Sequence, residues 1–265
     1  MAIARRFPTF AAAFHRELAE HRLNRFLHVH LGLCAAIGLL PLLTPDAAAA
    51  SAVAWVLQGT LYCLSLSSLL LGVSAAQGDA DEFPLIFTQP AARGAWLAGK
   101  ATALAAMLAP ASLVLVLPAA AIGGVSLVLG AVALAAAGTS IVLGAIGLAL
   151  GLWVRDHVRG LLAALAAWFG LLFGVDLLLL AVSGAPVVQA HPVAWALPLM
   201  LNPLSALRVT MMFGLEQTAP AVIGADPLVS WWLAHGVAWL VGLGATWIAA
   251  SLWVALAGAR RAVDA

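Results

Sequence analysis

Four groupings of residues have types and spacing that could do chemistry. Gly94-Ala-Trp-Leu-Ala-Gly99-Lys100 matches the GxxxxGK part of a phosphate-binding loop, in which backbone N–H groups cradle phosphates and the lysine reaches them. Ala101 stands where the hydroxyl that ligates magnesium belongs, and no strand precedes the motif. The expectation is therefore no nucleotide cofactor on this chain. Ser74 and His235 could form the nucleophile and base of an intramembrane serine hydrolase. The seven histidines and the Met211-Met212 pair invite copper or zinc, but His28 and His30, two apart, point to different helix faces, and His15, His21, His157 and His191 have no ligand spacing. No metal site is expected. Cys34 and Cys63 lie in separate apolar runs without CxxC spacing and read as packed thiols. Asp176, in GLLFGVDLLLLAVSG, is a carboxylate within an apolar run. An ionisable group in hydrocarbon is costly unless paired or wet, which makes it a candidate for a translocation pathway.

The elements that must position these groups follow from composition. Only 9% of the 265 residues are charged and 64% are apolar, against about 25% charged in soluble domains. There is too little polar surface to coat a soluble body. The uncharged run Ala101–Val154 has 54 residues, about 80 Å as helix against about 30 Å of bilayer core, so it must cross twice. Its continuous apolarity excludes barrel strands, which alternate. The expected fold is an all-α polytopic membrane protein, a single transmembrane domain over 1–265. Six spans are expected near 26–44, 51–77, 101–122, 125–153, 160–182 and 229–258, with a turn at Gly123-Gly124. The spacings Gly144, Gly147, Gly151 and Gly170, Gly174 read as helix-packing contacts.

Six spans put both termini on one side. That side then holds Arg5, Arg6, Arg16, Arg22, Arg25, Arg93, Lys100, Arg155, Arg159, Arg260 and Arg261, with Arg208 alone opposite, so it is expected to be cytoplasmic. Ser74 would then be near the cytoplasmic end of its span and His235 near the outer end of another, too far apart for a catalytic hydrogen bond of about 3 Å. Arg5 and Arg6 are not followed by the apolar core of a signal segment, so the N-terminus is expected to be retained. Phe10, Phe14 and Leu18 form a stripe opposite Arg16, Glu17, Glu20 and Arg22, which predicts an interfacial amphipathic helix over 8–25. Residues 183–228 hold six of the thirteen prolines and are expected to form short outer or re-entrant helices. The net charge of +1 shows no nucleic-acid footprint.

The cytoplasmic loop over 78–100, GDADEFPLIFTQPAARGAWLAGK, runs from acidic residues through Phe83, Leu85, Ile86 and Phe87 to Thr88-Gln89-Pro90, Arg93 and Gly99-Lys100. This resembles the cytoplasmic loop of ABC type 2 transporter permeases. FHRELAEHRLNRF before the first span agrees, and LNPLSALR before the last is similar to a stretch in permeases that serve nitrous oxide reductase maturation. The resemblance implies a dimeric permease subunit of the bacterial inner membrane, with N- and C-termini cytoplasmic. Two separate ABC ATPase subunits would hold the ATP and magnesium. It assigns coupling to that subunit to Glu82, Phe83, Phe87, Gln89, Pro90, Arg93 and Lys100, and cargo movement, in metalloenzyme maturation with copper or sulfur, to the spans. A periplasmic accessory protein would meet 183–228. The alternative class is a non-transport membrane assembly factor or an intramembrane hydrolase.

Overall fold

The computed structural model describes residues 6–21, 24–43, 49–78, 93–214 and 227–264, and all regular structure among them is helical. Six helices are long and apolar enough to cross a membrane: Arg25–Leu43, Ala52–Gly78, Arg93–Gly123, Leu127–Trp153, His157–Val182 and Gly236–Arg261. The chain is a multi-pass helical membrane protein.

Helix α1 (Arg6–His21) precedes α2 (Arg25–Leu39), which begins at Asn24. The Asn24 side chain accepts from the Phe26 N–H at 2.8 Å, satisfying a donor left over at the helix start. The second span joins α3 (Ala49–Gly59) to α4 (Ser65–Gly78) through a π-helical turn at Thr60–Leu64. The third and fourth are α5 (Arg93–Gly123) and α6 (Leu127–Trp153). Between them Gly124 adopts φ +72°, the left-handed conformation that glycine tolerates best, and Ser126 caps α6, so the expected glycine turn is present. The fifth span runs from α7 (His157–Phe169) through a π turn at Gly170–Gly174 into α8 (Val175–Val182). Short helices follow: α9 (Pro186–Ala190), α10 (Pro192–Leu201), α11 (Pro203–Val209) with a π turn at Thr210–Gly214, and α12 (Pro227–Ala234). The last span is α13 (Gly236–Asp264).

Three expected boundaries move. The third span starts at Arg93 rather than near 101, so Gly94–Lys100 is helix, and the break at His235 splits the expected 229–258 span into α12 and α13. The N-terminal helix ends at His21, short of the expected 25.

The bundle is organised around the second span, in whose apolar 18-residue stretch 67% of residues are buried, whereas in that of the fifth only 6% are. Glycine brings α4 and α6 into backbone contact. A Cβ on Gly151 would lie 2.7 Å from the Val73 carbonyl oxygen, and one on Gly147 would collide with the Leu69 carbonyl. In a membrane, where apolar burial drives little association, such close approach supplies the attraction. The Gly170 and Gly174 positions meet nothing within 4 Å. The expected packing role therefore holds for Gly144, Gly147 and Gly151 and fails among the described residues for the other two, which lie in the fifth span's π turn on the rim.

Between the first two spans, His30 is fully buried, and its Nδ1 lies 2.7 Å from Ser67 Oγ. Ser67 already donates to the Cys63 carbonyl, so the imidazole donates to it. This histidine is a core residue, not the surface or interface residue expected. Cys34 and Cys63, one turn along from His30 and Ser67, are buried and half-buried, as packed thiols should be.

Candidate functional site

The most constrained part of the molecule is the corner at Asn202. Pro203 cannot donate a backbone hydrogen bond, so the helix arriving through α10 stops there, and α10 and α11 are bent by 112°. A helix break leaves orphan carbonyls and N–H groups that a bilayer cannot satisfy. Four of these groups are answered by specific side chains. Asn202 Oδ1 accepts from the N–H groups of Leu204 and Ser205, at 3.0 and 3.3 Å. The carbonyls of Met200 and Leu201 accept from the indoles of Trp239 and Trp247, both at 3.0 Å. These tryptophans are eight apart on α13, a little over two turns, and so share a face. Asn202 Nδ2 donates to the Leu171 carbonyl at 2.7 Å, inside the π turn of the fifth span.

The same corner carries an ion pair. Arg208, near the end of α11, donates to both carboxylate oxygens of Asp176 on α8, at 2.7 and 2.6 Å. Both side chains are about 30% exposed. The sequence marks each as unusual, one as a carboxylate in a span and the other as the lone outer arginine. Against the corner lies an apolar groove of about 470 Å³, within the usual range for small-molecule sites. Leu134 and Gly138 of α6, Leu207 and Met211 beside the corner, and Val241 and Gly244 of α13 contribute to its lining.

A second constrained place lies where α1 meets the start of α5. Lys100 and Glu17 form a buried ion pair, 1% and 3% exposed. The Lys100 ammonium also lies 5.9 Å from the centre of the Trp96 ring. Gly99 lets the helices close, since a Cβ there would come within 2.5 Å of the Phe10 carbonyl oxygen. One polar residue of α1, Glu17, faces inward. At the other end of the 79–92 segment, the Gln77 amide donates to the carbonyls of Val154 and Asp156, at 2.9 and 3.1 Å.

Of the coupling residues expected from the sequence, Glu82, Phe83, Phe87, Gln89 and Pro90 lie outside the described residues. Arg93 opens α5 and is half-buried, while Lys100 is engaged within the chain. The GxxxxGK stretch is helical and offers no loop to cradle a phosphate. Ser74 and His235 do not meet. Ser74 is one turn from Gly78, at the end where Gln77 touches Val154 and Trp153 touches Val254. His235 is 19 positions before Val254, about 28 Å along the last helix, and is bonded to the Trp231 carbonyl at 3.0 Å. Among the described residues no group of three or more His, Cys, Asp or Glu could hold a metal ion. Sequence reasoning missed Trp239, Trp247, Glu17 and the Arg208 partner of Asp176. For the tryptophans a signal existed: two indole donors at eight-residue spacing beside a proline-broken apolar stretch.

Comparison with known proteins finds no family model that matches this chain and no curated protein that matches it.

Proposed function

We propose that this chain is the membrane-spanning permease subunit of an ABC-type transporter, working as a dimer and powered by a separate cytoplasmic ATPase subunit that carries ATP and magnesium. The observation that carries the reading is the anchoring of the 79–92 segment. At one end it leaves α4, the buried axis of the bundle, beside Gln77. At the other it enters α5, locked to α1 by Lys100 and Glu17. Both flanking helices are held by these contacts, so a push delivered to them would move spans. The resemblance of this segment to the permease loop supplies the partner. The alternative hydrolase reading loses its dyad to the separation of Ser74 and His235.

On this reading α1 lies in the cytoplasmic interface, the arginine-rich side faces the cytoplasm of a bacterial inner membrane, and the α10–α11 corner is a re-entrant pair on the outer side. The side-chain hydrogen bonds to its broken backbone support that depth, because Leu171 is 11 residues inside the Val182 end of the fifth span, about 16 Å. Cysteines placed singly at Asp46 and Glu216, in a chain lacking Cys34 and Cys63, are expected to react with an impermeant reagent from outside. Cysteines at Glu82, Arg159 and Arg260 are expected to stay protected. Labelling of the Arg260 position from outside would invert the last span and defeat this topology.

The coupling role is tested by Phe83→Ala with Phe87→Ala. Truncating buried aromatic anchors at an interface commonly costs about 2 kcal/mol or more, near thirtyfold in affinity. Pull-down of the ATPase subunit should fall accordingly, while Glu82→Gln or Arg93→Gln should leave the complex assembled but lower cargo-dependent turnover in nanodiscs, since rim charges set orientation more than affinity. Unchanged binding and turnover in all three would remove the segment from the mechanism. The metalloenzyme-maturation subfamily, and an accessory protein at 183–228, rest on LNPLSALR and its surroundings; co-purified cargo identified by mass spectrometry would test them.

A further inference from the structure

The turn between the fourth and fifth spans is built against the end of the last span. The Trp153 indole donates to the Val254 carbonyl at 2.8 Å, and the Arg261 guanidinium lies 4.2 Å from the centre of the same ring. Gly258 makes room for this, because a Cβ there would stand 2.7 Å from Trp153 Cδ1. The contact brings the turn that carries Arg155, two residues after Trp153, to the end of α13 that carries Arg260 and Arg261, while Arg159 follows in the first turn of α7. All four arginines are exposed, and none is ion-paired with a described residue. The nearby carboxylate, Asp156, caps α7, its Oδ1 accepting from the Arg159 N–H at 2.8 Å, and the four arginines outnumber it. Beside the arginines Trp153 is 40% exposed and Trp253 74% exposed, as aromatic rings at a membrane interface are.

We propose that this cluster is a binding site for one anionic phospholipid, whose phosphate sits between Arg155 and Arg261 and whose acyl chains lie along the Trp253 and Val254 side of α13. Charge complementarity selects an anion. The setting selects a lipid, because the guanidiniums cap the ends of three apolar helices where headgroups reside, and the two tryptophans supply the apolar surface below them. Arginine's planar fork can give two parallel hydrogen bonds to a phosphate, so the site holds more than a diffuse surface charge would. Arg261 is already oriented by its ring contact and need lose little freedom on binding. The inference stands independently of whether the chain transports anything, since a bound annular lipid needs only the membrane and these helix ends.

The test is native mass spectrometry of the detergent-solubilised full chain incubated with dioleoylphosphatidylglycerol or, in parallel, dioleoylphosphatidylcholine. The expected result is selective retention of the anionic lipid. Arg155→Gln and Arg261→Gln should each reduce it about fivefold, as one arginine near an anionic headgroup contributes, and Arg261→Lys should restore part of the loss. The variants alter exposed side chains, and their elution volumes in size exclusion should match the parent's. Equal retention of the two lipids would overturn the proposal, as would phosphatidylglycerol selectivity that survives the Arg155→Gln, Arg261→Gln double variant. Displacement of the lipid by inorganic phosphate would also overturn it, by making the ligand a free ion.

Discussion

Lys100→Met is expected to lose most of the folded, detergent-extractable protein, and what survives should melt about 10 °C lower than the parent. The reason is asymmetric. The Lys100 and Glu17 side chains are 1% and 4% exposed, so removing the ammonium takes the ion-pair partner from a buried carboxylate, a loss that typically costs about 3–5 kcal/mol. Removing both charges leaves neither member of the pair without the other, and the pair sits among Ala13, Trp96 and Leu97, all apolar and buried. Glu17→Leu with Lys100→Met should therefore recover most of the melting temperature. Fluorescence-detected size exclusion after a heat series measures both variants. A single variant within about 2 °C of the parent would show that the pair is worth less than 1 kcal/mol. If the double variant is stable yet fails to couple to an ATPase, the pair contributes to transmission as well as to folding.

That pair also marks where the sequence stops being legible. The six spans could be read in advance because hydropathy is a one-dimensional property: a run such as Ala101–Val154 must cross twice whatever it packs against. The Gly144, Gly147, Gly151 face was legible for a similar reason, since small residues at helical spacing in an apolar segment have few other uses. Glu17 and Lys100 are 83 positions apart, and no local pattern links them. The amphipathic pattern of α1 assigned Glu17 to the polar side, which is where a helix lying alone at an interface would put it. It turns inward because Gly99 lets α1 approach the backbone of α5 closely enough for Lys100 to reach it.

The break at His235 escaped for a different reason. SWWLAHGVAWLV contains no proline, and apolarity continues through it. In the structure α12 docks Trp232 against Thr210, its indole nitrogen 3.2 Å from Thr210 Oγ1, while Gly236 lies against the Thr210 methyl. The break therefore serves contacts with the Thr210–Gly214 turn, 22 or more positions earlier in the chain. The corner at Asn202 was legible as a disruption, through its prolines. What answers the disruption came from α13 and the fifth span, and those partners needed the fold.

Asp176→Leu is the last test, and the pairing with Arg208 sets its direction. Considered alone, Asp176 in an apolar run should be replaceable by leucine with no loss of inserted protein, because leucine is the cheaper residue in lipid. With Arg208 Nη2 donating to both of its carboxylate oxygens, the substitution instead leaves a guanidinium uncompensated at the corner. The two side chains are about 30% exposed, so the cost is discounted from that of a fully buried pair, to about 2 kcal/mol. Thermal stability should fall by about 5 °C. The double variant Asp176→Leu, Arg208→Leu should regain it, and so should the swap Asp176→Arg, Arg208→Asp if the corner tolerates the exchanged geometry. Transport then separates two roles. If activity returns with stability in the double variant, the pair is a brace that holds α11 to the rim span, alongside the Asn202 bond to Leu171. If the double variant is stable and inactive, the charges act in the cycle, and the open part of the pair is where a cargo or a moving helix would compete for them. An Asp176→Leu chain as stable as the parent would mean that Arg208 finds water or lipid phosphate at no cost, and neither role would stand.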